Sequence, residues 1–496
     1  MRYSSCEMAK PVEMVRQRRA RVAVVAIGLQ AYWSQFEGLE SRLLGYAGEV
    51  KRRVAESGVE VATLTAGDGT DLTMIDTPAR SEEAGHALRR ADVDLLLVYV
   101  TTYALSSTVL PMVRRARVPV LLLNLQPEAR MDYAAFNALR DRTKMTGEWL
   151  AWCSACPVPE LANVFKRTRI PFHQVTGTLA DDPVAWKEIG EWLSAANVVS
   201  GLEHNRLGLM GHYYTSMLDI ATDLTALSGT FGGHLAHVEV DELSRRREEV
   251  TDEQIAGKLA EFAGHFDVQA ECAEEELARA ARTSAALDAM VMDHGLTSLA
   301  YFYNGSGANE DTISSIILGT SMLTAAGVPV AGEYEVKNVI AMKIMSLLGC
   351  GGSFTELYAL DFRDDVVLMG HDGPGHTAIA QGKCKVRPLD VYHGKVGRGL
   401  SVEMSVKHGP VTALSVVEDG NGSFLLLYAE GESVPGPILE IGNTNSRYRF
   451  PLGVRGFMQE WNRHGPAHHC ATGVGHMGSQ LEKIASLLGI RAVQVS

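Results

Sequence analysis

Cysteine is scarce in this chain. Seven cysteines (Cys6, Cys153, Cys156, Cys272, Cys350, Cys384, Cys470) are scattered over 496 residues. An odd number at such low density argues against a disulfide framework and reads as the reduced thiols of a cytoplasmic protein. Long apolar runs are also missing, since none approaches the roughly 18–20 residues of a membrane span. Positive charge is the minority sign, with 46 Lys and Arg against 59 Asp and Glu. The resulting net charge of −13 speaks against a general nucleic-acid binder. No G-x-G-x-x-G follows a strand, so a dinucleotide site is not expected. Internal repeats and low-complexity segments are absent too. The N-terminal stretch is basic around Arg16, Arg18, Arg19 and Arg21 but lacks the basic–apolar–small order of a signal peptide, and it reads as an arm leading into the domain.

What is present is alternation. Arg21–Ile27, Val59–Leu64, Asp94–Val100 and Pro119–Asn124 read as strands of the buried type. Between them, Ser34–Ser57 places Phe36, Leu39, Leu43, Val50 and Val54 on one helical stripe, and Ala79–Ala91 and Ser107–Ala116 also read as helices. Such βαβ alternation implies a parallel sheet covered on both faces. A second set follows a helix at Asp181–Asn197: strands at Arg206–Gly211, His234–Val240, Leu296–Tyr303 and Val328–Ala331, and helices at Tyr213–Leu227, Asp252–Phe262, Gln269–His294 and Asp311–Ala325. The periodicity then changes. Val366–Met369, Gly382–Val386, Leu400–Lys407, Val411–Val417, Ser423–Ala429 and Pro437–Ile441 are short strands at close spacing, with a hairpin signal at Asp419-Gly420-Asn421-Gly422. A helix at Gly478–Leu488 and a strand at Arg491–Val495 follow. The expected fold is α/β, with two successive doubly wound domains and a mostly antiparallel β domain. The expected boundaries are an arm at 1–20, then 21–198, 199–349 and 350–496.

The residues with chemistry gather in one stretch. Gly332-Glu333-Tyr334-Glu335-Val336-Lys337 leads into a helix at Val336–Leu348. Gly351-Gly352-Ser353-Phe354-Thr355-Glu356 follows, then Leu368-Met369-Gly370-His371, and farther on Gly465-Pro466-Ala467-His468-His469-Cys470, read as a Gly-Pro turn. Each histidine alone suits a structural role, and Glu333 with Lys337 alone suits a surface ion pair, their spacing sharing a face if the first turn is helical. Together, carboxylates and imidazoles at glycine-flanked element ends suit a divalent metal. Oxygen and nitrogen donors without thiolate favour Mn, Mg or Co over structural zinc. Glu356 among Phe354, Leu357 and Tyr358 calls for a partner cation or a raised pKa.

Two other stretches deserve weighing. Gly28-Leu29-Gln30-Ala31-Tyr32-Trp33 follows the first strand, where α/β sheets bind ligands. Gln30, Tyr32 and Trp33 suit a sugar equally with an aromatic cap on the sheet. Trp152-Cys153-Ser154-Ala155-Cys156-Pro157 has redox spacing, but it lies mid-chain with prolines at 157 and 159, so buried structural thiols are the expectation.

The four motifs, in this order and at similar spacing, resemble those of the L-arabinose isomerase family: G-E-G-D-x-K, G-G-x-S-F-M-E-D, L-G-x-H and G-A-H-H-T. The resemblance is closest from about residue 330 to 470. It implies that Glu333, Glu356, His371 and His469 hold a catalytic Mn²⁺, with Mg²⁺ or Co²⁺ as alternatives. It implies an aldose–ketose isomerase working through an enediolate, with Glu333 and Glu356 as the catalytic carboxylates. Gln30, Lys337 and His468 become the sugar-binding candidates. It further implies a sugar substrate and a homo-oligomer, trimer or hexamer, with pockets near subunit interfaces. There are departures. Leu357 stands where the family is acidic, and the stretch near Thr143–Gly147 lacks the histidine of the family's A-H-G-G segment. Metal-dependent chemistry on another sugar or sugar acid, and a non-catalytic sugar-binding protein, stay open as alternatives.

Overall fold

The computed structural model describes residues 18–389 and 397–496. The expected arm therefore lies outside the described residues except for Arg18, Arg19 and Ala20, and so does Cys6. The described chain forms two compact units, Arg18–Ser200 and Gly201–Ser496.

The first unit is a parallel sheet in the order β2-β1-β4-β5-β6, where β1 is Arg21–Ile27, β2 Glu60–Ala62, β4 Leu95–Val100, β5 Val120–Gln126 and β6 Phe172–Thr178. A short strand, β3 (Met74–Ile75), also pairs with β1. Burial explains the composition: every residue of β4 is buried, as are Val22 to Ile27 of β1. Leu39–Ala55, Pro78–Arg90 and Ser106–Ala116 cover the sheet as helices, near their expected bounds.

The second unit begins with another parallel sheet, β11-β10-β7-β8. Here β7 is Arg206–Gly211, β8 His234–Val238, β10 Ser298–Phe302 and β11 Val330–Ala331, while β9 (Asp267–Val268) belongs to a small separate sheet. The helix expected at Tyr213–Leu227 is mostly loop. It starts at Leu224, because the Asp223 carboxylate accepts from the Thr225 and Ala226 N–H groups and caps it there. The helix expected at Asp311–Ala325 is split into Ala308–Ile313 and Ile317–Ala325, with the Ser314 and Ser315 hydroxyls turned onto the Asp311 carbonyl between them.

The remaining strands close on themselves. β12 (Gly351–Asp361), β13 (Val366–His371), β16 (Gly409–Glu418), β17 (Phe424–Ser433), β18 (Thr444–Arg449) and β19 (His469–Val474) run in the ring order β16-β19-β12-β13-β18-β17, and β17 pairs back to β16. All these pairs are antiparallel. β14 (Lys385–Pro388) and β15 (Leu400–Glu403) join β9 instead, and β20 (Arg491–Gln494) adds to β17 in parallel. The Asp419–Gly422 hairpin joins β16 to β17 as expected. Pro437–Ile441 is not a strand. The Leu439 N–H goes to the Asn445 side chain rather than into a ladder, and the strand here is β18.

Three further differences bear on function. His469 does not sit in a turn but opens β19. A helix at Gly453–Arg463 precedes it. Cys153 and Cys156, expected as separate reduced thiols, form a disulfide. A short turn between the helices Arg142–Leu150 and Val158–Arg167 brings their Cα atoms to 5.8 Å, within the reach of a bridge. The other described cysteines are free and buried, as expected. Among the described residues no helix is long and apolar enough to cross a membrane.

Candidate metal centre

The site forms where the second parallel sheet meets the β ring. Glu333 leaves the carboxyl end of β11, His371 is the last residue of β13, and His469 is the first of β19. Strands β19, β12 and β13 are neighbours, so two of these side chains arise from adjacent ladders. Gly370 has to be glycine for His371 to arrive there: a Cβ at that position would collide with the Thr444 carbonyl of β18.

Glu333 and Tyr334 are both left-handed, with φ of +57° and +61°. That conformation costs a non-glycine residue about 1–3 kcal/mol and persists only where its surroundings impose it. Here the Tyr334 N–H donates to Tyr301 O at 3.0 Å, the Glu335 N–H to Gly332 O at 3.0 Å, and the Tyr214 N–H to Glu333 O at 3.3 Å. The following helix begins only at Val336, so Glu333 and Lys337 do not share its first turn. Lys337 is buried, and its Nζ donates to the carbonyls of Asp219 at 2.7 Å and Ala221 at 3.0 Å.

Around Glu333 the imidazoles converge. Oε1 lies 3.7 Å from His371 Nε2, and Oε2 lies 3.5 Å from His469 Nε2 and 3.7 Å from His468 Nε2. Ligand atoms of Glu333, His468 and His469 fall within 4.8 Å of one another. Glu356 stands opposite His469 in the β12–β19 ladder, so both side chains leave the same face of the sheet. The Phe354 ring, fully buried, packs 4.3 Å from His371 and 4.4 Å from His469, walling the site on its apolar side.

A carboxylate flanks each of the adjacent histidines. Asp219 Oδ2 is 2.6 Å from His468 Nδ1, and Glu335 Oε2 is 3.4 Å from His469 Nδ1. These two carboxylates and Phe354 are the site residues that sequence reasoning passed over. Glu335 was visible in the motif but had no periodic signal to separate it from a helix-start acid, and Asp219 lies far away in sequence.

The electrostatics follow from burial and these neighbours. Burial opposes the charged form of Glu333, but its contacts with His371 and His468 outweigh it and hold the carboxyl well below its ordinary range. For His468, burial works against protonation, yet Glu333 and Asp219 raise its pKa to about 9. Burial, aided by His371 and His468, drives His469 well below its ordinary value. Burial also lifts Glu335 to about 8 against the pull of Lys337 and His468.

The donor set fits a divalent cation. Glu333 Oε2 and His469 Nε2 are buried, face each other, and have no hydrogen-bond partner, as does His371 Nδ1. Buried polar atoms are rarely left so, and a carboxylate oxygen opposite imidazole nitrogens is a nitrogen–oxygen ligand set. Gln30 is exposed in the turn after β1, in the first unit.

Comparison with known proteins finds sugar isomerases. Residues 351–491 match the L-arabinose isomerase C-terminal domain. An L-arabinose isomerase of Aeromonas salmonicida (strain A449) is 21% identical over 463 residues, 88% of this chain and 87% of that protein. An L-arabinose isomerase of Flavobacterium johnsoniae is 25% identical over 354 residues, 68% of each chain. A sulfoquinovose isomerase of Alkalicoccus urumqiensis is 20% identical over 341 residues, 67% of this chain and 74% of that protein.

Proposed function

The chain belongs to the L-arabinose isomerase family as a divergent member, and from that premise we propose that it is a metal-dependent aldose–ketose isomerase. The observation that carries this reading is the facing pair of partnerless buried atoms, Glu333 Oε2 and His469 Nε2, 3.5 Å apart. Glu333, His371 and His469 would hold the cation, with His468 at its exposed side. Glu356, across the ladder from His469, completes the proposed set. Mn²⁺ is the first ion to test, because a set rich in imidazole suits Mn or Co better than Mg, which prefers oxygen. When bound, such a cation polarises the sugar carbonyl as a Lewis acid.

The chain's own residues do the rest. Aldose–ketose isomerisation moves one proton from C2 to C1 while the hydroxyl proton passes from O2 to O1. Glu333, kept ionised by its histidines, is a strong anchor and a poor proton carrier. Glu356, only partly buried, is the base that takes the C2 proton, giving an enediolate, and returns it to C1. Phe354 excludes water from the imidazole side. Lys337, committed to the Asp219 loop, acts on that loop rather than on the sugar.

The substrate is an aldose read through its C1–C2 end, the part that arabinose and sulfoquinovose share. Leu357, where the family segment is acidic, and the stretch near Thr143–Gly147 without the family's histidine favour a sugar other than L-arabinose. The test is proton NMR in D₂O of EDTA-stripped protein with Mn²⁺ or Mg²⁺ and a panel of aldoses that includes both named sugars. Metal-dependent loss of the C–H signal beside the carbonyl, abolished in Glu356→Gln even at Mn²⁺ concentrations that saturate the variant, supports the proposal. Metal binding without exchange across the panel would move the function to sugar binding.

A further inference from the structure

His468 and His469 are adjacent, yet they are held in different ways. His469 is locked in β19, behind Phe354 and against Glu335. His468 precedes the strand, and its side chain is 34% exposed. An imidazole in that position is free to rotate and to present either nitrogen, unless something holds it.

Asp219 holds it twice. A single oxygen, Oδ2, accepts the His468 backbone N–H at 3.0 Å and faces the ring Nδ1 at 2.6 Å. Asp219 sits in the loop that replaces the expected helix between β7 and Leu224. That loop is itself anchored: Lys337 Nζ reaches the carbonyls of Asp219 and Ala221, and the Thr222 hydroxyl donates to Glu418 Oε2 at 2.6 Å. With Nδ1 turned to Asp219, the atom left facing Glu333 is Nε2, at 3.7 Å from Oε2.

We infer that Asp219 is a positioning residue of the metal centre: it fixes His468 as the tautomer with its proton on Nδ1 and aims the Nε2 lone pair at the cation locus beside Glu333. This inference rests on the metal-centre reading above. The chemistry is general. A carboxylate on the far nitrogen of a ligating histidine sets its tautomer and orientation and increases its basicity, and loss of such a partner typically costs about 10–100-fold in metal affinity. Glu335 stands in the same relation to His469 from the buried side, so each member of the pair has its own carboxylate, drawn from a different element.

The test is a double-mutant cycle on the EDTA-stripped full chain, titrated with Mn²⁺ by calorimetry. Asp219→Ala is expected to weaken binding by about tenfold or more. Asp219→Asn keeps an acceptor without the charge and should fall between it and the unaltered protein. His468→Ala should weaken binding too, and adding Asp219→Ala to it should cost nothing further, because the two act as one unit. Nitrogen-15 NMR of the ring, taken on the metal-free protein at a pH high enough for the imidazole to be neutral, reads the tautomer directly and is expected to show the one remaining proton on Nδ1, an arrangement that Asp219→Ala releases. Asp219 is half exposed on a loop; if the alanine variant fails to fold, the asparagine variant and its NMR spectrum carry the test. Unchanged affinity in Asp219→Ala, unchanged affinity in His468→Ala, or additive losses in the double variant would overturn the inference while leaving the metal centre standing. An unaltered protein that binds no Mn²⁺ would overturn the metal centre and the inference with it.

Discussion

Nδ1 of His469 lies 3.4 Å from Oε2 of Glu335, a contact between two fully buried side chains 134 residues apart in sequence. The other nitrogen of that ring faces Glu333. One imidazole thus spans two acidic side chains, one at each ring nitrogen.

Glu335→Gln separates orientation from charge. An amide oxygen can still accept from Nδ1–H, but it gives the ring less basicity. Calorimetry is expected to show Mn²⁺ binding weakened by about tenfold. The metal-free variant should melt close to the unaltered protein, because burial holds Glu335 largely protonated at neutral pH and the amide replaces a neutral acid of the same shape. Equal Mn²⁺ affinity in both proteins would mean that Glu335 has no part in holding the metal.

Phe354 is the packing counterpart of Glu335. Its fully buried ring touches both His371 and His469, so truncation both opens a cavity and frees two imidazoles. Phe354→Ala should destabilise the chain by about 3–5 kcal/mol in urea unfolding. Phe354→Leu should cost less and still bind Mn²⁺ more weakly than the parent. A leucine variant with parental affinity would show that the ring packs without orienting.

His376 predicts an acid-side loss of stability. Burial pushes its imidazole down from 6.5 to about 4, with Lys407 acting in the same direction. In the unfolded chain the ring protonates first as pH falls, so the unfolded state binds more protons between those values. The stabilising contribution of the neutral ring is whole above about 6.5 and is lost progressively towards about 4, on the order of 3 kcal/mol in all. Urea midpoints of the metal-free protein over that range should fall less steeply in His376→Gln. Parallel curves for the two proteins would remove His376 from the account.

The described cysteines divide into two classes. Cys153 is buried and Cys156 exposed, and the two are bridged, while Cys272, Cys350, Cys384 and Cys470 are buried and free. Iodoacetamide followed by peptide mass spectrometry should leave all six unlabelled in the native oxidised protein. Mild reductant should admit label at Cys156, and denaturation should be required for the four buried thiols. Label at Cys156 without reductant would show that the bridge is not formed.

The sequence by itself determined the layers. Continuous apolar runs such as Leu95–Val100, short and set between helical stretches, read as strands buried on both faces, and close-set strands with Gly and Asn turns read as antiparallel. It also determined Glu333, His371 and His469 as candidates, because their glycine neighbours mark places where the backbone must bend or approach closely. The tertiary structure decided which groups those side chains meet. Asp219, Glu335 and Phe354 carry no signal of their own in the chain. An acid in a loop, an acid at a helix start and an aromatic in a strand are common everywhere, and only ring closure of the β strands against β11 brings them to the same imidazoles. The same holds for Lys337. Its spacing from Glu333 pointed to a shared helical face. The helix starts at Val336 as expected, after two left-handed residues, so Glu333 lies outside its first turn and the lysine goes to a loop more than a hundred residues upstream. Periodicity reports which face of an element is buried. It carries no record of what another element, folded from far along the chain, will place against that face.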